Sequence, residues 1–311
     1  MFDTLRYIVQ SMRPKQWIKN LIVLAPLAFV LGQYKHPMVL FGVLAFFGFC
    51  LASSGVYLLN DVLDREADKH HPEKKDRPIA SGKLSVPAAL SAMAVLFGMS
   101  ATLAFCVRPL LLLIFAGYVT LNLLYSFYLK KLVIIDAFSI AFGFILRILA
   151  GVEALRGVRP DIEISTWIIL CTLLGSFFLA FCKRRHELSL EESSFNHRFI
   201  LTEYSTGFLD QMIAISTAAT ITAYSLWTMW PDTVKKFETE ALFWTVPFVC
   251  YGIFRYLYLV HQKNMGGSPS KVFLSDRPLM VNILLWLAAL LLILYGRQIG
   301  GLLGPFEASG L

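Results

Sequence analysis

MVLFGVLAFFGFCLASSGVYLLNDVLDREADK, residues 38–69, decides the fold. From Met38 to Leu59 no side chain is charged. As an α-helix that run is long enough to cross a hydrocarbon layer of ~30 Å, which takes roughly 20 mostly apolar residues. The run then meets Asn60, Asp61, Asp64 and Asp68 without an intervening turn signal. The sequence therefore predicts a membrane-crossing helix that carries its acidic end straight into water.

The rest of the chain repeats the apolar part of this pattern. Of 311 residues 57% are hydrophobic and 16% charged, and the mean hydropathy is +0.63. A soluble domain carries about 25% charged residues. The apolar runs lack the polar stripes at 3.6-residue spacing that a soluble bundle needs. These features imply an all-α polytopic membrane protein with about nine transmembrane helices. The spans are expected at about 17–33, 38–60, 86–107, 110–128, 133–155, 165–183, 210–230, 241–261 and 278–296. The start, MFDTLRYIVQSMRPKQWIKN, is amphipathic and basic and shows no signal-peptide cleavage pattern. Five cysteines without CxxC spacing read as free thiols. Six histidines form no HxxxH pair, which argues against a zinc site.

Orientation follows from the cations. With the N-terminus inside, 20 of the 28 Lys and Arg fall on the cytoplasmic side and seven on the outer side, with Arg147 inside a span. This predicts a plasma-membrane (inner-membrane) location, a cytoplasmic N-terminus and an outer C-terminus. The long polar segments at 61–85, 184–209 and 262–277 then all face the cytoplasm, where function is expected. The whole chain, 1–311, reads as a single transmembrane domain.

On a helix, Asn60, Asp64 and Asp68 recur every four residues, and Asp61 lies three and seven from Asp64 and Asp68. Like charges this close weaken a helix unless a cation joins them. Hard oxygen donors suit Mg²⁺, which keeps several waters and shares phosphate oxygens. Basic residues follow in Lys74, Lys75 and Arg77. Carboxylates for a metal beside cations for phosphate is the charge pattern that a magnesium–diphosphate requires. Asp61, Asp64 and Asp68 are therefore the candidate catalytic residues and, with Asn60, the candidate metal ligands.

Asn60, Asp61, Asp64 and Asp68 match the NDxxDxxxD motif in full, and the chain resembles the UbiA superfamily of intramembrane prenyltransferases. Further blocks carry a narrower likeness: Arg13-Pro-Lys15-Gln-Trp17-Ile-Lys19-Asn20, Lys75-Asp-Arg77-Pro-Ile-Ala-Ser81-Gly82, and Leu124-Tyr125-Ser126 with Lys130. Asp136, Leu146-Arg147, Ala150-Gly151, Lys183-Arg184-Arg185-His186-Glu187-Leu188 and Arg255–His261 extend it over about 13–280. The resemblance implies helices around a central cavity open to the cytoplasmic side. The branch it resembles most implies transfer of a 5-phosphoribosyl group from phosphoribosyl diphosphate (PRPP) to a polyprenyl, decaprenyl-type, phosphate. The product would be a precursor for arabinan-type cell-envelope polysaccharide. The same resemblance implies that Arg13, Lys15, Lys19, Asn60, Lys75, Arg77, Tyr125, Lys130, Asp136, Arg147, Lys183, Arg184, Glu187 and Arg255 bind substrate.

One departure from the family pattern stands out. Most members carry a second motif, DxxxD, after the sixth span, whereas this chain has Lys183-Arg-Arg-His-Glu187. Cations there suit a second anionic group, either the 5-phosphate of the donor or the lipid phosphate. The missing motif counts against the first alternative, prenyl transfer to an aromatic acceptor. The second alternative, a transporter, would place its site near the midplane, where only Arg147 lies. Arg147 by itself reads equally as a structural residue or a substrate contact, and the resemblance, which implies that it faces the central cavity, tips it toward contact.

Overall fold

The computed structural model describes residues 2–30, 36–70, 74–191, 203–263 and 265–302. Among these the regular structure is helical, and eight helices are long and apolar enough to cross a membrane. Contacts divide the chain into two units, Met1–Ile169 and Leu170–Leu311, with the division inside one helix.

The first unit opens with α1 (Phe2–Met12), a 3-10 segment (Pro14–Leu24) and α2 (Ala25–Ala28). It continues through α3 (His36–Leu63), α4 (Arg65–Lys69), α5 (Val86–Val107), α6 (Leu110–Phe127) and α7 (Ile135–Arg156). α8 (Thr166–Glu191) leads into the second unit, where α9 (Thr206–Met229), α10 (Pro231–Phe237), α11 (Val246–Lys263), α12 (Pro269–Ser275) and α13 (Arg277–Leu302) follow. Local chemistry sets many of the boundaries. Arg108, before Pro109, is extended at φ −165° and ends α5, because the proline ring crowds the helical conformation of its predecessor.

Eight of the nine expected spans correspond to these helices. The exception is the stretch expected as an α-helical span at 17–33, of which residues 31–33 lie outside the described residues. Its described part is the 3-10 segment followed by the single turn of α2. The segment runs antiparallel to α3. Arg13 bonds Asp61, Trp17 Nε1 donates to Ser54 Oγ at 3.1 Å, Asn20 Nδ2 donates to Ser53 Oγ at 3.1 Å, and Leu24 lies against Gly42. From position 61 to position 42 an α-helix rises about 28 Å, so the segment follows α3 through most of a bilayer's apolar depth. Three residues per turn explain its sequence: Trp17, Asn20 and Val23 form one eclipsed ridge directed at the neighbouring helices.

α7 receives that ridge with small residues. A Cβ at Gly151 would collide with the Val23 carbonyl oxygen and come within 3.1 Å of Pro26 Cδ. Backbone cannot yield as a flexible side chain does, so Gly151→Ala is expected to destabilise the protein by about 1–3 kcal/mol. Thermal unfolding of the purified variant in detergent measures this. At the far end of α7, buried Glu153 receives Arg156 at 2.7 Å and Arg108 at 2.9 Å, which ties the α5–α6 connection to α7.

α1 has a different task. Tyr7, Ile8 and Met12 pack on Leu58, Ile79 and Leu84, bracing the polar connection that carries Arg77. In the second unit, Trp286 Nε1 donates to Tyr224 Oη at 2.9 Å, and Tyr224 and Thr245 share a hydrogen bond of 2.7 Å. These bonds join α13, α9 and the 3-10 turn Ala241–Thr245 through polar tips on otherwise apolar side chains. The polar segments are shorter than expected: α8 continues to Glu191, α11 reaches Lys263, and α12 takes seven residues of 262–277. Residues 192–202 of the expected loop at 184–209, with Arg198, lie outside the described residues.

Candidate active site

Successive helical residues turn by about 100°, which puts Asn60, Asp61, Asp64 and Asp68 within an arc of roughly 100°. The structure keeps that arc although α3 and α4 meet at a bend. Asp64 sits between them at φ −88°, ψ 7°, yet its N–H still donates to the Asn60 carbonyl and its carbonyl accepts from the Asp68 N–H, both at 2.8 Å.

The arc divides into two margins. Asp61 and Asp68, seven residues apart, are each 2% exposed. Arg77 Nη1 donates to both, at 3.1 Å to Asp61 Oδ1 and 2.6 Å to Asp68 Oδ2. Arg13 also bonds Asp61 Oδ1, and Lys74 Nζ stands 3.9 Å from Asp68 Oδ1. Buried carboxylates are tolerated only with such partners. On the other margin, the Asp64 side chain is 47% exposed and 3.7 Å from Lys130 Nζ, while Asn60 Oδ1 accepts from Ser126 Oγ at 2.8 Å. The end of α6 therefore closes the site on that side.

Arg13 is held unusually. Its φ of 53° is left-handed, a conformation that costs a non-glycine residue about 1 kcal/mol or more. The bond to Asp61 and a cation–π contact over Tyr57, 5.1 Å from the ring centre, hold it there. The reversal in φ also lets the chain leave α1 and enter the 3-10 segment at the level of Asp61.

The 3-10 geometry separates two residues that the sequence reading grouped. In an α-helix Lys15 and Lys19 would share a face; at three residues per turn they lie about 120° apart. Lys15 is exposed, whereas Lys19 is half-buried. Lys75 is exposed beside the inward-facing Lys74 and Arg77. Tyr125 is half-buried on α6, next to Ser126, and Asp136 is fully buried in the first turn of α7.

Arg147 is 5% exposed and occupied within the first unit. Nε donates to Asn20 Oδ1 at 2.8 Å, Nη1 to the Gly143 carbonyl at 2.8 Å and Nη2 to Tyr118 Oη at 3.1 Å. The rings of Tyr118, Phe49 and Phe144 lie 4.8, 4.9 and 5.2 Å from its Cζ. Of the two readings left open by the sequence, this cage favours the structural one, a link between the 3-10 segment, α3, α6 and α7.

In the second unit, buried Arg184 pairs with Glu187, whose other oxygen lies 3.5 Å from Lys183 Nζ. Arg185 pairs with Asp210. Arg255 grips Asp276 with two bonds, of 3.1 and 2.8 Å, and Asp276 also accepts from the Leu279 N–H at the start of α13. The guanidinium, then the N–H, hold the Asp276 carboxyl below the usual carboxylate range. Arg255 thus joins α11 to α13, a use that the expectation of a substrate contact did not include.

Ser126 and Tyr57 were not singled out as site residues in the sequence, and Lys74 was read only as part of the basic run that follows the acidic stripe. Lys74 is indistinguishable from Lys75 by composition, and Ser126 sits 66 residues from Asn60. The period-three ridge at 17, 20 and 23 was a readable signal for Asn20.

The donor set can be tested for a metal. Its groups are hard oxygens, and Arg77 shows that one compact positive group reaches both Asp61 and Asp68. Among the described residues, no three His, Cys, Asp or Glu side chains close a metal site by themselves. A cation that completes its shell with water and phosphate oxygens, as Mg²⁺ does, fits such a set.

A profile of the UbiA prenyltransferase family matches residues 21–277. The chain is 34% identical over 293 residues to the decaprenyl-phosphate phosphoribosyltransferase of Mycolicibacterium smegmatis, covering 91% of each chain. It is 35% identical over 297 residues to that of Corynebacterium glutamicum, covering 93% of this chain and 86% of the relative. A solved UbiA homologue from Archaeoglobus fulgidus, bound to GPP and Mg²⁺, superposes with a TM-score of 0.68 at 15% identity, over 93% of this chain and 99% of that one.

Proposed function

The chain belongs to the UbiA prenyltransferase family, an integral membrane family of transferases, and on that premise we propose that it moves a 5-phosphoribosyl group from PRPP to a polyprenyl phosphate. The observation that carries this reading is identity of 34–35%, over nine-tenths of the chain, to relatives named for that reaction. The acceptor is a decaprenyl-type phosphate and the product an arabinan-type precursor, by the same likeness.

Asn60, Asp61, Asp64 and Asp68 would hold Mg²⁺. When bound, the ion supplies positive charge to the diphosphate as the anomeric bond breaks. Arg13, Lys74, Arg77 and Lys130, which neutralise the carboxylates, are placed to take phosphate oxygens. The C1–O bond to diphosphate breaks with its electron pair on the leaving group, and a lipid phosphate oxygen forms the new bond to C1 with inversion. A phosphate monoester has a second pKa near ~6 and is largely dianionic at neutral pH, so no side chain need act as base. In the second unit, Lys183 stands beside the Arg184–Glu187 pair, and an ammonium of this kind suits phosphate oxygens. The distribution of Lys and Arg supports a cytoplasmic site in the plasma membrane, with the N-terminus inside and the C-terminus outside.

Incubation of the purified protein with decaprenyl phosphate, PRPP and Mg²⁺, followed by mass spectrometry of the lipids, tests the proposal. The expected product is the lipid carrying one 5-phosphoribosyl group. Prenylated aromatic product from a prenyl diphosphate, with no phosphoribosyl lipid, would overturn it. So would substrate flux in proteoliposomes without any covalent product.

A further inference from the structure

Arg77 lies where an incoming cation would have to go. Its Nη1 reaches Asp61 Oδ1 and Asp68 Oδ2, so one guanidinium nitrogen spans the two buried carboxylates. Arg13 bonds the same Asp61 oxygen, and Lys74 stands 3.9 Å from the other oxygen of Asp68. Three cations already surround two carboxylates.

A bare divalent ion entering between Asp61 and Asp68 meets two opposing effects. It must break charge-assisted hydrogen bonds, which are among the strong ones, and it leaves a displaced guanidinium close to new positive charge. A metal arriving with diphosphate breaks the same bonds but brings compensation for both effects. The released Arg77 finds phosphate oxygens in place of carboxylate oxygens, and its planar fork suits them. The total charge of the pocket then changes little.

We propose that Arg77 makes this site selective for a metal–diphosphate complex over the free metal ion. The guanidinium keeps Asp61 and Asp68 closed to the bare ion until a diphosphate is there to receive it. Metal and diphosphate binding are therefore strongly coupled, each raising the affinity of the other by the same factor. This inference rests on the assignment of Asp61 and Asp68 to the metal and adds the order in which that metal enters.

Equilibrium dialysis of the full-length protein in detergent, with Mn²⁺ as the probe at buffered free concentration, reads the coupling directly. Wild-type protein is expected to bind Mn²⁺ at least roughly tenfold more weakly without inorganic diphosphate than with it, the size of one charge-assisted hydrogen bond. Arg77→Gln is expected to bind Mn²⁺ alone about tenfold more tightly than wild type, and to lose most of the diphosphate effect. Equal affinity of Arg77→Gln and wild type for Mn²⁺ alone would overturn the proposal. Should Arg77→Gln fail to fold, the wild-type titration decides: Mn²⁺ affinity that is indifferent to diphosphate overturns it equally. Failure of both proteins to bind Mn²⁺ even with diphosphate removes the metal assignment and this proposal together. The identity of the transferred group is judged separately, by the lipid product.

Discussion

Asp68→Ala is expected to lower phosphoribosyl transfer at least about a thousandfold while the purified protein still folds. Asp68 contributes one of the two buried carboxylates that a single Arg77 nitrogen joins. Without it, a metal loses a hard oxygen ligand, and stabilisation of the leaving diphosphate by several kcal/mol goes with it. Folding depends on it less. Arg77 keeps its 3.1 Å bond to Asp61, and Lys74 is partly exposed, so neither cation is stranded. The expected cost in stability is about 1–3 kcal/mol. Initial rates of lipid product, beside a thermal unfolding curve, separate the two effects. Near-wild-type turnover in folded Asp68→Ala would refute the assignment of the acidic stripe to the metal.

Arg147→Met should do the opposite: reduce stability by about 3–5 kcal/mol, through the fold rather than the chemistry. The change strips partners from Asn20 Oδ1, the Gly143 carbonyl and Tyr118 Oη, all inside the apolar layer where water cannot replace them. Asn20 is held through Ser53 to α3, so its loosening reaches the 3-10 segment that presents Arg13 to Asp61. Arg147→Lys should fall between, because a point ammonium cannot serve three acceptors in the plane of a guanidinium. The measurement is the unfolding midpoint of each variant together with its KM for PRPP. Unchanged stability with a raised KM would restore the reading of Arg147 as a substrate contact.

Both expectations concern residues that the sequence had already marked, but for different reasons. The Asp stripe was legible because its members lie within one helical arc, and the backbone carries that arc through the bend at Asp64. Arg147 was legible only as an anomaly, a charge within an apolar span. Lys15 and Lys19 show the limit more sharply. Their spacing of four means one face in an α-helix and separate faces in the 3-10 segment, and the choice is made by the fit of Trp17, Asn20 and Val23 against α3 and α7. Arg255 is similar: the resemblance implies a substrate contact, yet its fork is filled by Asp276.

What the sequence determined by itself was whatever depends on near neighbours along the chain. Apolar run length set the membrane spans, and the i, i+4 and i, i+7 spacing of carboxylates set the acidic face. The partner of each charge was decided only by tertiary structure. Arg77 meets Asp61 across 16 residues, Arg13 meets it across 48, and Arg147 finds Asn20 across 127. A guanidinium has the same charge and reach wherever it stands, so composition cannot assign it to a carboxylate, a phosphate or a ring of aromatics. Packing does so, because in an apolar interior each polar group left without a partner costs more free energy than a single hydrogen bond returns.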